Sequence, residues 1–158
     1  MTAALRLALP AEDDTRAFGA ALAAALPPQL VIHLRGDLGS GKTTLARALV
    51  QALDAGMRVK SPTYTLLETY ATSGRTVHHL DLYRIGSPLE LEALGLRDLE
   101  GVILIEWPER GGSAIPAADL VLGLAICGDG RELDAVASSA AGALALHAVA
   151  GTHPSEPD

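Results

Sequence analysis

A glycine-rich stretch that ends in Lys42 and Thr43 has the residue types and the spacing that bind phosphate groups. Residues 36–43 have the sequence GDLGSGKT, which fits the phosphate-loop pattern of GxxxxGK followed by Ser or Thr. Glycines let the backbone turn tightly, so that successive N–H groups face phosphate oxygens. We expect Lys42 to act as a catalytic cation at the β- and γ-phosphates, and the Thr43 hydroxyl to ligate Mg²⁺. The predicted nucleotide-binding residues of this loop are Gly36, Asp37, Leu38, Gly39, Ser40, Gly41, Lys42, Thr43 and Thr44.

Two carboxylates follow predicted strands and are candidates for the chemistry around the bound phosphates. Glu106 follows the aliphatic run at residues 102–105, and Asp81 follows the strand predicted at residues 75–80. Ligands of open α/β folds bind at the carboxyl edge of the sheet, where both acids should project. We assign Glu106 to Mg²⁺, directly or through water, and Asp81 to the orientation of the attacking water or of a metal-bound water. The alternative for either acid is a surface carboxylate after a strand.

The segments around the loop supply the context that the motif requires. Residues 30–34 are mostly apolar and partly β-branched, which indicates a central strand, and residues 44–53 carry apolar side chains at helical spacing. The alternative to a phosphate loop is a glycine-rich turn that only caps the helix. Such a turn would not need the pair Lys42 and Thr43, so the pair favours the phosphate loop. The helix N-terminus after the loop would add the positive end of its dipole to the phosphate site.

The rest of the chain predicts a single α/β phosphate-loop domain over residues 1–150. It has three layers, a mostly parallel sheet and antiparallel edge strands. Residues 151–158 are predicted to be a flexible tail. The other predicted strands are residues 5–9, 66–71, 119–126 and 131–137, and the other predicted helices are residues 12–26, 87–95 and 140–150.

Several other residues are candidates for binding the nucleotide or closing over it, and each also has a purely structural interpretation. Residues 61–65 hold three hydroxyls and a tyrosine, so they could close over the γ-phosphate as a switch loop or simply connect two elements. Trp107 could stack on a base, but an apolar anchor beside Pro108 is the better interpretation. His33 is interpreted as a core residue with its polar atoms satisfied and not as a ligand. His78 and His79 lack a metal-like set of partners and are interpreted as strand residues.

Composition limits the classes of partner and of compartment. The chain of 158 residues has a formal net charge of −7, and its field therefore repels polyanions, which argues against direct binding of nucleic acid. Cys127 is the only cysteine, which excludes an internal disulfide, and we expect it to be buried as a small apolar side chain. No signal peptide or apolar run of membrane-spanning length is present, so we expect a soluble cytoplasmic protein.

With those residues assembled, the sequence resembles the TsaE (YjeE) family of bacterial ATPases, and the resemblance covers nearly the whole chain. Besides the loop itself, it rests on VKSPTYTLLETY at 59–70, HLDLYRI at 79–85, LELEALGLRDL at 89–99 and LIEWPER at 104–110. The resemblance implies ATP binding and slow hydrolysis in an assembly with TsaD and TsaB, which forms threonylcarbamoyladenosine beside the anticodon of tRNA. TsaD would perform the transfer, and tRNA would be contacted through the complex.

The same resemblance implies further nucleotide contacts. Thr15 matches a contact near the N-terminus and Arg131 a second one, while residues 61–65 match the family's switch-like loop. Ser40 stands where alanine is frequent, and both side chains are small enough for the loop.

Three rival functions use the same loop. A GTPase is suggested by DLEG at residues 98–101, but this pattern precedes its strand instead of following it, and the chain has no asparagine for a guanine-reading NKxD element. A kinase would need an arginine-bearing lid, and no arginine cluster marks one. A nucleotide-switched binding module would differ from the predicted ATPase only in that its output is assembly and not hydrolysis of the nucleotide. We therefore predict partner-coupled hydrolysis of Mg-ATP.

Overall fold

The structure is a computed structural model, and it describes residues 3–152. Within that range the chain forms one seven-stranded sheet with the strand order β1-β7-β6-β2-β5-β4-β3. The strands are β1 (Ala4–Leu9), β2 (Leu30–Arg35), β3 (Leu67–Thr72), β4 (Arg75–Asp81), β5 (Val102–Glu106), β6 (Leu120–Cys127) and β7 (Gly130–Ala137). The helices are α1 (Glu12–Ala25), α2 (Lys42–Leu53), α3 (Leu89–Glu92) and α4 (Ala140–Thr152).

The centre of the sheet is parallel, and its two sides are antiparallel. Strand β2 pairs in parallel with β5 and β6, and β5 pairs in parallel with β4. Strands β7 and β1 continue the sheet on one side and β3 on the other, all through antiparallel pairs. The predicted parallel sheet with antiparallel edge strands is therefore confirmed. Because β2, β4 and β5 run in the same direction, their carboxyl ends meet at one edge.

Helices α1, α2 and α4 cover one face of the sheet. Phe18 and Leu22 of α1 and Leu45 and Leu49 of α2 are fully buried against it. The two helices cross closely at Gly19, where an added Cβ would lie 2.9 Å from the Cβ of Ala48. This packing fixes the start of α2, and with it the residues that precede the helix, relative to the sheet.

The other face is covered by the short helix α3 and by single 3₁₀ turns. Leu91 and Leu96 pack there against Leu80, Ile103 and Ile105. The helix predicted for residues 87–95 is only one turn long, since α3 ends at Glu92. Residues five apart lie on different faces of a helix, so a continuous helix could not bury both Leu91 and Leu96. The chain instead turns at Gly95, which has a φ of 59°.

Three smaller predictions about the chain differ from the structure or fall outside it. Asp81 is the last residue of β4 and not the residue after the strand. Cys127 is exposed and not buried, because it is the last residue of β6, whose final three residues are all exposed. Helix α4 continues to Thr152, and the remainder of the predicted tail, residues 153–158, lies outside the described residues. Among the described helices, none has the length and apolar character needed to cross a membrane.

Candidate nucleotide-binding site

The loop between β2 and α2 has a backbone shape that glycine makes possible. Gly36, Gly39 and Gly41 have φ angles of 149°, 80° and 104°, in a region that other residues rarely adopt. At Gly36 an added Cβ would lie only 2.5 Å from both the carbonyl oxygen of Leu124 and Ser40 Oγ. Gly41 is the N-cap of α2. The first N–H groups of α2 therefore face the concave side of the loop without intrahelical partners, as in anion-binding helix N-termini.

Lys42 lies folded against this loop. The residue is 5% exposed, and Nζ donates hydrogen bonds to the carbonyl oxygens of Gly36 and Asp37. The ammonium also lies 4.1 Å from the centre of the Trp107 ring. Burial lowers the pKa of Lys42, and the charges of Glu106 and Asp81 partly oppose that effect. A cation that has lost so much hydration is stabilised strongly by an incoming anion such as a phosphate group.

The two predicted acids lie side by side at the carboxyl edge of the sheet. Asp81 of β4 and Glu106 of β5 are register partners, and the two residues are 8% and 2% exposed. Thr43 Oγ1 donates to Glu106 Oε1 over 3.1 Å. Burial raises the pKa of Asp81, although the backbone N–H of Tyr83 donates to its Oδ1 over 3.0 Å and opposes the rise. The loop hydroxyl and both carboxylates thus meet at one point.

Trp107 and His79 contribute to this site in ways that sequence reasoning missed. Trp107 lies beside Lys42 and 5.0 Å from the ring of Tyr83, so it supports the lysine and not a stacked base. His79 is fully buried, and its Nε2 lies 2.6 Å from Glu106 Oε2. The alternation of side chains along a strand could have placed His79 in the site. His79 precedes Asp81 by two residues and therefore lies on the same face of β4.

A cleft of about 490 Å³ brings most of the predicted residues together. A second cavity of about 380 Å³ lies on the other side of the loop and contains Thr15 and Arg131, the two contacts implied by family resemblance. Arg131 donates to the carbonyl oxygen of Gly39 over 2.9 Å, whereas Thr15 is almost wholly buried. The first cleft is lined by residues 37–44, Thr63, Asp81, Tyr83, Arg84, Glu106 and Trp107.

The segment at residues 61–65 reaches the cleft through Thr63. The hydroxyls of Ser61 and Thr63 lie 2.7 Å apart, so they bond to each other. Tyr64 is 85% exposed and lies under the guanidinium of Arg84 at 4.8 Å. The segment therefore borders the mouth of the cleft, as the predicted switch loop requires, and its closure stays a prediction.

The residues present fit a nucleotide with a magnesium ion. Ser40 Oγ is buried without a hydrogen-bond partner among the described residues, which is expected of a loop that surrounds an anion. In the same part of the chain, no group of three His, Cys, Asp or Glu side chains could hold a metal alone. Mg²⁺ is usually bound by one or two protein oxygens together with substrate phosphates, which suits Thr43 and Glu106.

Comparison with known proteins agrees with the fold and identifies a family. The model of a family described as threonylcarbamoyl adenosine biosynthesis protein TsaE matches residues 9–133, a range that contains every predicted site residue. The chain belongs to the TsaE family. It has the P-loop NTPase fold, and a crystal structure of Bacillus subtilis YdiB matches it with a TM-score of 0.82 and 26% identity, covering 96% of this chain and 97% of that one.

Named relatives give the family its biological setting. The chain is 42% identical over 113 residues to a tRNA threonylcarbamoyladenosine biosynthesis protein TsaE of Haemophilus influenzae, covering 70% of this chain and 72% of the relative. It is 38% identical over 128 residues to the protein of the same name in Rickettsia bellii, covering 79% of this chain and 89% of the relative. The family thus acts in the biosynthesis of a modified tRNA nucleoside.

Proposed function

We propose that this protein binds and slowly hydrolyses Mg-ATP in the biosynthesis of threonylcarbamoyladenosine in tRNA. The single observation that carries the proposal is the hydrogen bond of 3.1 Å between Thr43 of the loop and Glu106. It brings a hydroxyl and a carboxylate, the ligands that Mg²⁺ takes in phosphate-loop proteins, to the position beside Lys42. Membership of the TsaE family supplies the pathway.

Binding of the triphosphate follows from the loop and from α2. Backbone N–H groups after Gly39 bond to phosphate oxygens, and the N-terminus of α2 favours their negative charge. Lys42 exchanges its bonds to the carbonyl oxygens of Gly36 and Asp37 for bonds to the β- and γ-phosphates. The cavity with Thr15 and Arg131 opens on the other side of Gly39 and Gly41, so it is the space available to the nucleoside.

Hydrolysis depends on the two acids. Thr43 and Glu106 would hold Mg²⁺, which would supply positive charge to the phosphate oxygens as they gain negative charge. Asp81 accepts a hydrogen bond from a water and orients it towards the γ-phosphate. Burial raises the pKa of Asp81, which makes its carboxylate a better proton acceptor than an exposed aspartate.

Slow turnover by the isolated protein follows from the cations at the cleft. Lys42 serves the β- and γ-phosphates, and Arg84 is engaged with the ring of Tyr64 at the rim. A cation added in trans can raise turnover in such sites by about 10³–10⁵-fold. We propose that TsaD and TsaB order residues 61–65 over the nucleotide and change the rate.

The proposed division of labour in the pathway rests on the family resemblance. We propose that TsaD transfers the threonylcarbamoyl group, as the resemblance implies, and that this chain supplies the nucleotide site. With a net charge of −7, the chain would contact tRNA through its partners. A role in tRNA modification implies a cytoplasmic location.

Product analysis tests the proposal against its rivals. Wild type and Glu106→Ala are incubated with Mg-ATP, with and without TsaD and TsaB, and the products are separated. We expect free phosphate from wild type and much less from the variant. A phosphorylated metabolite would indicate a kinase, and neither product would indicate a nucleotide-switched binding module.

A further inference from the structure

We propose that His79 is a positioning residue that fixes the Glu106 carboxylate for Mg²⁺ by donating a hydrogen bond from Nε2–H. This inference rests on the proposed function, because it concerns how the site holds its ion. His79 itself lies one step behind the site, since its ring contacts Glu106 and does not line the cleft.

The environment of the ring assigns its proton to Nε2. The distance from Nε2 to Glu106 Oε2 is 2.6 Å, and both side chains are almost wholly buried, at 1% and 3% exposed. Nδ1 is buried and has no hydrogen-bond partner among the described residues. A proton on Nδ1 would therefore be an unpaired buried donor, and it would remove the donor that faces the carboxylate. With the proton on Nε2, the ring has no unpaired buried donor and has a donor that faces the carboxylate.

Glu106 needs this donor because its other partner changes when metal binds. In this structure Thr43 Oγ1 donates to both carboxylate oxygens, over 3.1 Å and 3.4 Å. A hydroxyl that would ligate Mg²⁺ through a lone pair keeps a single O–H hydrogen. The ion would set the direction of that hydrogen, so Thr43 would no longer hold both carboxylate oxygens. Lys42 cannot replace it, because its Nζ is bonded to the loop carbonyls in this structure and would bond to the β- and γ-phosphates in the proposed complex. His79 is the donor that stays in place.

The strand gives the ring a rigid mounting. His79 lies within β4, opposite Leu104 of β5 and Glu68 of β3, so its backbone is paired on both sides. Donors behind a metal ligand fix its orientation, and their loss typically lowers metal affinity about 10–100-fold.

Two variants of similar size and polarity separate positioning from packing. In His79→Gln the amide nitrogen can take the place of Nε2 and keep the bond to Glu106. In His79→Asn the amide nitrogen lies near the position of Nδ1 and leaves the carboxylate without its donor. His78→Asn is the matched control, because that ring bonds to Thr69 and to the carbonyl oxygen of Glu100, away from the site.

The readout is the gain in ATP affinity that Mg²⁺ provides, measured by calorimetry in excess Mg²⁺ and in EDTA. We expect His79→Asn to reduce this gain about 10–100-fold with unchanged affinity in EDTA. His79→Gln and His78→Asn should keep the gain of wild type. An undiminished gain in His79→Asn, or an equal loss in both His79 variants with and without metal, would overturn the inference and leave the proposed function standing. If the wild-type protein had no measurable affinity for ATP, both the inference and the proposed function would be wrong.

A measurement on the wild-type protein covers the case in which His79→Asn does not fold. Long-range ¹H–¹⁵N NMR correlations report the tautomer of each of the 5 histidines, and the spectrum of His79→Gln assigns the signal of His79. We expect the proton on Nε2. A proton on Nδ1 alone contradicts the inference, because the ring then has no hydrogen to donate to Glu106.

Discussion

Lys42 is held by contacts of its own chain, and each of them is available for exchange with a phosphate. Lys42→Ala should therefore lower the affinity for Mg-ATP by about 1.5–3 kcal/mol or more, the usual value of a hydrogen bond to a charged group. Calorimetry measures this loss, and Lys60→Ala removes the chain's other lysine as a control. An unchanged affinity in Lys42→Ala, with the fold intact, would refute the assignment of the loop.

Asp81 predicts a dependence of stability on pH. Burial raises its pKa in the folded protein above the ordinary 3.8 of the unfolded chain. At pH values between the unfolded and the folded pKa, the folded protein therefore binds the proton more tightly than the unfolded chain. Stability is therefore lost as the pH rises through this window. Asp81→Asn lacks this loss and keeps an acceptor for the N–H of Tyr83.

The difference in Tm between Asp81→Asn and wild type should thus grow as the pH rises from about 3.8 and then level off, with the variant the more stable protein at pH 7. Thermal unfolding in EDTA without nucleotide measures it. The same variant should lose hydrolysis, since the orienting carboxylate is gone. A difference in Tm that is constant across this range would contradict the assigned burial effect.

At this scale the sequence predicted the types of the site residues better than their contacts. Lys42, Thr43, Asp81 and Glu106 belong to local patterns, a loop motif and two strand ends, and the structure brings them together. The bond between His79 and Glu106 depends on the register of β4 against β5, which no local pattern specifies. Trp107 has a φ of 57°, and this turn directs its ring to Lys42 in a way that its apolar character did not predict.

At the scale of elements, the phosphate loop offers a test that separates backbone strain from binding. Gly39 in the loop and Gly74 in the β3–β4 turn have similar φ angles, 80° and 88°, and an added Cβ at either would meet nothing within 4 Å. Alanine should therefore cost about 1–3 kcal/mol of unfolding free energy at each position. Only Gly39→Ala should also weaken ATP binding, because the strain there distorts the cradle of N–H groups.

Chemical denaturation and calorimetry of the two variants give both quantities. Equal losses of ATP affinity in Gly39→Ala and Gly74→Ala would show that the loop backbone has no special part in binding. The pair thus tests the loop as an element and not any one side chain.

The elements differ in how far the sequence determined them. Strands β2 and β5 and helix α2 are long periodic or apolar runs, and they form where the pattern predicted. Helix α3 was predicted too long because its start signal, Ser87 and Pro88, is local, whereas its end depends on burying Leu91 and Leu96 together. Cys127 shows the same limit, since its exposure follows from its place at the exposed end of β6, which its apolar character does not predict.

At the scale of the whole molecule, we expect the protein to prefer adenine over guanine nucleotides. It contains no asparagine, so an asparagine-based element for reading guanine is excluded, and the family resemblance also favours ATP. Titration with Mg-ATP and Mg-GTP should therefore show tighter binding of ATP. Equal affinities would count against this specificity, although they would leave the phosphate site as assigned.

Coupling to the partners is the central claim at this scale, and it follows from the position of residues 61–65. Thr63 of this segment lines the cleft while Tyr64 is exposed beside it, so one segment faces both the nucleotide and the outside. If ATP orders this segment and the partner docks on it, each ligand must tighten the binding of the other by the same factor.

The most direct test is the affinity of this protein for the TsaD–TsaB assembly, measured with ATP, with ADP and without nucleotide, alongside phosphate release with and without the assembly. We predict an affinity that depends on the nucleotide, tightest with ATP, and slow release by the isolated chain that the assembly changes. Identical affinities in all three states, together with fast turnover by the isolated chain, would contradict the account and indicate a self-sufficient enzyme.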